Sequence, residues 1–270
     1  MSENKTKIWL GIGGYLMLGA GGVPAGAAGE GQLIMAQIMH ADHAAKSEGG
    51  EGGEGGESGY TNEDPDQVFA VNLLLAKGHL HISQEMAGLG LWDFSAAHAQ
   101  HPAAEIYNNV APELKKRGAA PFEAELEALV EQVIENKSGA ALDQAYATVI
   151  AKIDAAAATL DVSKRTSPAF TMASAMALLK QASAEYVIGV SGGKIVNLQE
   201  YQDANGFIWV ADQLISSLDQ GLPGMPEITA ELVKLKSFWS TAARMDSMAT
   251  PESDVLGCIS RIELKAGKIK

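Results

Sequence analysis

Cysteine is nearly absent from this sequence. Cys258 is the single cysteine in 270 residues, so no disulfide can form within the chain. No Cys-x-x-Cys pair is present for thiol redox chemistry, a thiolate metal site or covalent haem attachment. An exported protein with so little cysteine fits a bacterial periplasm better than the class of small secreted domains held together by disulfides.

Basic residues are also scarce. The chain has 20 Lys and Arg against 33 Asp and Glu, which gives a formal net charge of −13. Nucleic-acid binding depends on basic patches that neutralise phosphates, so we expect no nucleic-acid partner. An acidic surface attracts cations instead, and the charge therefore favours a metal ion as the partner.

The motifs of several enzyme classes are missing as well. The sequence has no Gly-rich phosphate loop between a strand and a helix, and no serine or cysteine nucleophile in a recognisable elbow. We therefore predict that the protein is not an enzyme. A metallopeptidase remains an alternative, for the reason given with the family resemblance below.

Aromatic residues make up only 6% of the chain, whereas alanine and other strong helix formers are abundant. Apolar residues recur at helical spacing between breaks, and Ser167-Pro168 has the form of an N-cap and first helical residue. The pattern predicts an all-α fold, an antiparallel helical bundle of two consecutive four-helix-like sets, residues 64–160 and 161–270. The predicted helices are 66–89, 92–100, one beginning at Pro102, 121–136, 142–160, 170–190, 197–218, 226–248 and 251–265.

Long hydrophobic runs are confined to the first 30 residues. Lys5 and Lys7 precede an apolar run over residues 8–20, and small residues follow around Pro24. This is the layout of a secretory signal, so we predict that residues 1–29 are a signal peptide and that the mature protein is periplasmic. The alternative is an uncleaved membrane anchor, which the many glycines and Pro24 disfavour.

Residues 30–63 are predicted to form a leader helix and a linker. The leader carries two methionines and two histidines within two turns, a combination that suits copper. The alternative is a packing stripe, since methionine next to aliphatic residues is common in cores. Residues 47–59 repeat Glu-Gly-Gly, which predicts a flexible, self-repelling linker. The leader residues are Met35, Met39, His40 and His43.

Four of the six histidines lie within residues 79–101. At about 100° per residue, a His-x-x-x-Glu pair places both side chains on one helix face, and two such pairs on antiparallel helices can enclose one ion. His79 is about 200° from His81 around the helix, so the two cannot both face one site, and we exclude His79. The alternative is a set of ordinary surface pairs. The predicted ligands are His81, Glu85, His101 and Glu105, with His98 next.

A second group of ligand-type residues surrounds the break between helices 170–190 and 197–218. Glu185, Glu200, Tyr201 and Asp203 offer hard oxygen ligands suited to iron(III), manganese or calcium. Two alternatives are structural. Glu200 is three residues after Asn197 and can complete a capping box, and Tyr201 can be a buried anchor.

This second group also carries a resemblance. Glu185-Tyr186, then Gly193-Lys194-Ile195-Val196-Asn197 and Glu200-Tyr201-Gln202-Asp203, resemble the periplasmic helical domain of bacterial high-affinity iron permeases. The resemblance implies a role in iron transport and a membrane transporter as partner. The histidines and glutamates of the first half are similar to those of imelysin-type (M75) periplasmic proteins, although the spacing here is His-x-x-x-Glu and theirs is His-x-x-Glu.

Together these observations predict an exported metal-binding protein that passes its ion to or from a membrane transporter. Iron is the favoured ion, with copper or another divalent ion as alternatives. The competing hypothesis is a helical interaction module of a membrane complex with no metal role. A histidine site should release its ion as the pH falls from about 6.5 to 5.5, whereas a carboxylate-only site should hold it to roughly pH 4.

Overall fold

The computed structural model describes residue 62, residues 64–239 and residues 248–269. The predicted signal peptide, the leader helix with its copper alternative and the Glu-Gly-Gly linker lie outside the described residues. The described residues belong to one compact unit, Ala45–Lys270. Within the part of the chain that is described, no helix is long and apolar enough to cross a membrane.

The protein is an all-α helical bundle, as the sequence predicts. The β-structure of the described chain consists of two strands of two residues each and one isolated bridge between Lys194 and Met248. In chain order the elements are α1 (Pro65–Gly88), α2 (Trp92–His101), a π-helix (Pro102–Ile106), α3 (Tyr107–Arg117), α4 (Glu123–Ile134), α5 (Ala140–Ala157), α6 (Val162–Arg165), α7 (Pro168–Gly189), β1 (Val190–Ser191), β2 (Lys194–Ile195), α8 (Leu198–Ser217), α9 (Met225–Lys236) and α10 (Glu252–Ala266).

Helices α7 and α8 form the central antiparallel pair. Ser167 caps α7 by accepting a hydrogen bond from the Phe170 amide, and Asn197 caps α8 by accepting from the amides two and three residues ahead. Between the helices, β1 and β2 meet in a tight turn at Gly192 and Gly193, whose φ angles of 58° and 71° suit glycine. The pair packs on α1, and α10 packs on α7 from another side.

Helix α1 runs across α8 at two facing glycines. A Cβ added at Gly206 would lie 2.7 Å from the Gly78 carbonyl oxygen, and one added at Gly78 would lie 2.6 Å from the Phe207 ring. Real Cβ atoms do not approach other atoms so closely. The backbones therefore touch here because neither residue has a side chain, and the contact draws the residues beside both glycines together.

A buried hydrogen-bond network joins α1, α2 and α5 at Ser83, which follows the crossing along α1. The Ser83 hydroxyl lies 2.6 Å from the Tyr146 hydroxyl and donates to the Ser95 carbonyl, and the Ser95 hydroxyl donates to the Ser83 carbonyl. All three side chains are almost fully buried. Paired polar groups of this kind fix how the helices fit together.

The structure corrects the prediction of a helix break at Pro102. His101 has helical dihedrals, φ −54° and ψ −51°, so it is not an N-cap, and the chain continues from α2 through the π-helix into α3. A proline within a helix lacks the amide that the regular hydrogen-bond ladder needs, and a single wide turn accommodates this. The helix predicted over 226–248 is also shorter, since α9 ends at Lys236.

Candidate metal centre

Seven ligand-type side chains from α1, α2, the π-helix, α7 and α8 lie in or beside one small internal cavity. The cavity holds about 10 Å³ of space, close to one water-sized sphere. Most of its polar lining comes from the residues next to the α1–α8 crossing and from the end of α7. The residues lining the cavity are Leu75, His79, His101, Glu105, Ile106, Gln181, Glu185, Glu200, Asp203 and Phe207.

Asp203 lies at the centre of this group. One of its carboxylate oxygens, Oδ1, is 2.6 Å from His79 Nδ1 and 2.9 Å from His98 Nδ1. Each of the three residues offers a ligand atom, and these atoms all lie within 4.8 Å of one another. The other oxygen of Asp203, Oδ2, is buried and has no hydrogen-bond partner among the described residues.

The opposite charges of Asp203 and the neighbouring histidines shift the pKa values of Asp203 and His98 toward their charged forms. Burial alone would raise the pKa of Asp203, but the positive charges of His79 and His98 and their hydrogen bonds hold it well below its ordinary value. Burial alone would lower the pKa of His98, but the negative charge of Asp203, followed by hydrogen bonds, raises it. Asp203 is therefore ionised, and metal-free His98 tends to carry a proton.

His98 makes a second contact that fits this protonated form. Its Nε2 lies 2.8 Å from the Gln202 side-chain oxygen, Oε1. Both ring nitrogens thus face oxygen acceptors, which the doubly protonated imidazolium satisfies. Binding of a metal ion by His98 requires loss of a proton, so protons and metal compete at this residue.

His101 has the opposite character. Burial, followed by the positive charge of His79, lowers its pKa to about 4. A helix that began at Pro102 would place His101 at a positive helix N-terminus, which also lowers a histidine pKa. The structure places His101 inside a continuous helix instead, so burial is the leading cause. Its Nε2 lies 2.8 Å from the Gln199 side-chain amide nitrogen, and its ring centroid is 4.9 Å from that of His79. A neutral imidazole here is ready to bind a metal.

Two more carboxylates line the cavity from α7 and α8. Glu185 and Glu200 are both buried and are hydrogen-bonded to each other, and Gln181 donates to Glu185. Burial is the main cause that raises the pKa of Glu185. Glu105 reaches the cavity from the π-helix. Single wide turns of this type often occur at functional sites, because they turn a side chain away from its regular helical position.

The two ligand groups predicted from the sequence therefore meet in one place. Glu105, Glu185, Glu200, Asp203 and His101 line the cavity, and His98 lies behind Asp203. The sequence treats them as two separate sites, but the α1–α8 crossing and the α7–α8 pair bring them together. Their role as metal ligands stays a prediction.

Other predicted ligands lie elsewhere. The His81 ring stacks on Trp209, with the centroids 3.8 Å apart, and Glu85 is one turn further along the same partly exposed face of α1. Tyr201 is fully buried among Tyr186 and Trp239, as the alternative of a buried anchor predicts.

His79 is the residue of the His79, His98 and Asp203 cluster that the sequence analysis left out. As expected, the two histidines face different sides of α1, but the structure places His79, which the sequence analysis excluded, at the cavity and His81 outside it. A sign was present in the sequence, because Leu75, His79, Ile82 and Met86 follow helical spacing and form one buried stripe. The sequence analysis gave more weight to the His81 and Glu85 pair than to this apolar stripe.

Comparison with known proteins agrees with part of the sequence analysis. No curated protein and no solved structure was found to match this chain. The resemblance to imelysin-type proteins thus stays a prediction. A match in the second half of the chain supports the resemblance to iron permeases. The matched segment contains Glu185, Glu200 and Asp203, and the histidines of the candidate metal centre precede it. Residues 162–269 match the family model of the iron permease-associated 4-helix bundle domain.

Proposed function

We propose that this protein is an exported metal-binding protein that binds iron at the candidate metal centre and works with a membrane iron transporter. The match of residues 162–269 supports a link to iron transport. The buried histidines and carboxylates support metal binding. Export to the periplasm rests on the predicted signal peptide, and transport itself would be the task of the partner.

The single observation that carries the proposal is the arrangement of His79, His98 and Asp203. Ionised groups are seldom buried unless they are paired or bind a metal. Here the three ligand atoms lie within 4.8 Å of one another, and Asp203 Oδ2 has no hydrogen-bond partner in the described chain. A bound cation would supply the partner that this oxygen lacks.

The types of ligand atom fit iron and differ from the sulfur ligands that copper(I) prefers. Imidazole nitrogens and carboxylate oxygens suit iron and manganese, whereas copper(I) prefers sulfur. No cysteine or methionine lines the cavity among the described residues. The copper alternative depends on the Met35 to His43 leader, so it would concern a different part of the chain.

The competing hypothesis, a helical interaction module, also has an observation in its favour. Val187, Ile188 and Val196 flank the β1–β2 turn and are each about half exposed, at 51%, 46% and 50%. Neighbouring exposed aliphatic side chains of this kind can contact a partner. Such a surface is compatible with metal binding, and the metal measurement below separates the two hypotheses.

The test compares two substitutions on the same helix. His79→Ala removes a residue of the cluster, and His81→Ala removes a histidine two residues away that stacks on Trp209 outside it. We expect iron to co-purify with the wild-type protein and His81→Ala from iron-replete cells, and to be lost from His79→Ala. Equal iron contents in the two variants, or none in the wild type after anaerobic loading with Fe²⁺, would contradict the proposal.

A further inference from the structure

We propose that Gln202 is a positioning residue of the candidate metal centre: it holds the His98 ring so that Nε2 carries the proton and Nδ1 is left to bind the metal ion. This role rests on the proposed function and deepens it, because it names the ligand atom of His98 and the residue that selects it. The ion is a divalent first-row metal, which takes mixed nitrogen and oxygen ligands.

The two ring nitrogens of His98 face different neighbours. Nδ1 lies 2.9 Å from Asp203 Oδ1, and His79 Nδ1 lies 2.6 Å from the same oxygen. Metal–ligand distances of about 2.0–2.2 Å place neighbouring ligand atoms on one octahedral ion about 3 Å apart. The separations in the cluster are close to this value. Nδ1 is therefore the nitrogen of His98 that would face an ion bound by Asp203 and His79.

The contacts of Gln202 fix the orientation of its side-chain amide. Its oxygen, Oε1, lies 2.8 Å from His98 Nε2, and its nitrogen lies 3.4 Å from Met86 Sδ. A thioether sulfur accepts hydrogen bonds and cannot donate them, so the amide nitrogen belongs on the Met86 side. The amide oxygen then faces His98, and an oxygen acceptor in this position requires a proton on Nε2.

The choice of tautomer matters because Asp203 favours the other one. In a neutral imidazole one nitrogen carries the proton and the other has a free electron pair. A carboxylate beside Nδ1 attracts the proton to Nδ1, which would leave the electron pair on Nε2, away from the cluster. Gln202 opposes this, because an Nε2 proton without an acceptor is unfavourable in the interior. Both His98 and Gln202 are fully buried, so bulk water cannot replace the amide oxygen.

A second glutamine gives His101 the opposite arrangement. The Gln199 side-chain nitrogen lies 2.8 Å from His101 Nε2. An amide nitrogen donates and does not accept, so Nε2 of neutral His101 is the acceptor and its proton is on Nδ1. The electron pair of His101 is thus already engaged, and a metal ion there would have to displace Gln199. The two histidines therefore differ in which end of a glutamine amide they face.

Metal-binding histidines commonly have a partner of this kind. The nitrogen that does not bind the ion usually donates to a carboxylate, a carbonyl or a water molecule, which fixes the tautomer and the ring orientation. In this chain the partner is the amide oxygen of Gln202 on α8, while His98 is on α2. The helix that carries Asp203 thus also carries the residue that sets the donor atom of His98.

The first experiment measures the His98 tautomer in metal-loaded protein. The full chain, labelled with ¹⁵N and freed of metal by a chelator, is saturated with Zn²⁺, which is diamagnetic and also binds imidazole nitrogen and carboxylate oxygen. Two-bond ¹H–¹⁵N correlation spectra show which ring nitrogen carries the proton. We expect a proton on His98 Nε2 and none on Nδ1. Metal bound at Nε2, or a proton on Nδ1, would overturn the inference without any variant.

Three variants test whether Gln202 is the cause. Gln202→Met is similar in size but has no oxygen acceptor, so it should bind Fe²⁺ and Zn²⁺ about 10- to 100-fold more weakly and lose the Nε2 proton signature of His98. Gln202→Glu keeps an oxygen acceptor and should retain the signature and most of the affinity. The matched control is Gln213→Met at an exposed position of the same helix, which should change neither.

The outcomes separate the role of Gln202 from the proposed function. Far-UV circular dichroism checks that each variant is folded. A folded Gln202→Met protein with wild-type affinity, or one that loses affinity while the His98 tautomer is unchanged, would overturn the role of Gln202 and leave the proposed function standing. A wild-type protein that binds neither Zn²⁺ nor, anaerobically, Fe²⁺ would overturn both.

Discussion

The contact between Gly78 on α1 and Gly206 on α8 can be tested by substitution, because it determines how closely the two helices pack beside the candidate metal centre. In Gly206→Ala, the new methyl carbon would lie 2.7 Å from the Gly78 carbonyl oxygen and 2.8 Å from Ile82 Cγ1. The first of these atoms belongs to the backbone, so a side-chain rotation cannot relieve the clash. The two helices must move apart.

Two opposing effects set the size of the change. Alanine in a helix interior is favoured over glycine by about 1 kcal/mol. Overpacking a tight contact typically costs about 1–3 kcal/mol, and separating the helices also exposes apolar surface around Phe207 at roughly 25 cal/mol per Å². The clash should outweigh the helix propensity, and we expect a net loss of about 1–2 kcal/mol in the free energy of unfolding.

The assay is urea unfolding of the metal-free protein in chelator, followed by circular dichroism. Gly88→Ala on α1 is the matched control, because a Cβ there would have no neighbour within 4 Å. It should leave stability unchanged or raise it slightly. Since Gly78 precedes His79, and Asp203 lies one turn before Gly206, Gly206→Ala should also weaken metal binding. A Gly206→Ala protein as stable as the control, with unchanged metal affinity, would refute this reasoning.

Three further predictions concern stability. Ser167→Ala should lower the free energy of unfolding by about 1 kcal/mol through loss of the α7 cap, as measured in urea. Tyr146→Phe should cost about 1 kcal/mol, because a buried hydrogen bond to Ser83 is lost while the ring remains. The raised pKa of His98 contributes stability that is fully present below about pH 6.5 and is lost as the pH rises through the pKa of the folded state. The free energy of unfolding of the metal-free protein should therefore fall as the pH rises above about 6.5. Asp203→Asn should weaken this pH dependence, because it removes the charge that raises the pKa of His98.

The fold could largely be predicted from the sequence. Helical spacing of apolar residues and local caps gave helix ends within a few residues of the observed ones, as in α7 (Pro168–Gly189) and α8 (Leu198–Ser217). Such features depend on neighbours in the chain. The π-helix at Pro102–Ile106 could not be predicted in the same way, since tertiary packing decides whether a proline ends a helix or is accommodated by a wide turn.

The site could be predicted only in part. Six of the nine predicted ligands line the cavity or lie beside it: His98, His101, Glu105, Glu185, Glu200 and Asp203. Their convergence could not be predicted from spacing, because it depends on how α1 crosses α8. The contact that fixes this crossing is made by Gly78 and Gly206, which are 128 positions apart in the chain.

His79 lies at the cavity and the predicted ligand His81 does not, and this difference shows which sequence pattern better indicates a buried site. A His-x-x-x-Glu pair on a solvent-facing turn is worth only a few tenths of a kcal/mol, so it occurs readily without function. An ionisable residue within an apolar stripe costs several kcal/mol unless a partner compensates it. His79 lies between Leu75 and Ile82 in such a stripe, and Asp203 lies one turn before Phe207 in another. Ionisable residues at these positions imply partners on a facing helix, and here they are partners of each other.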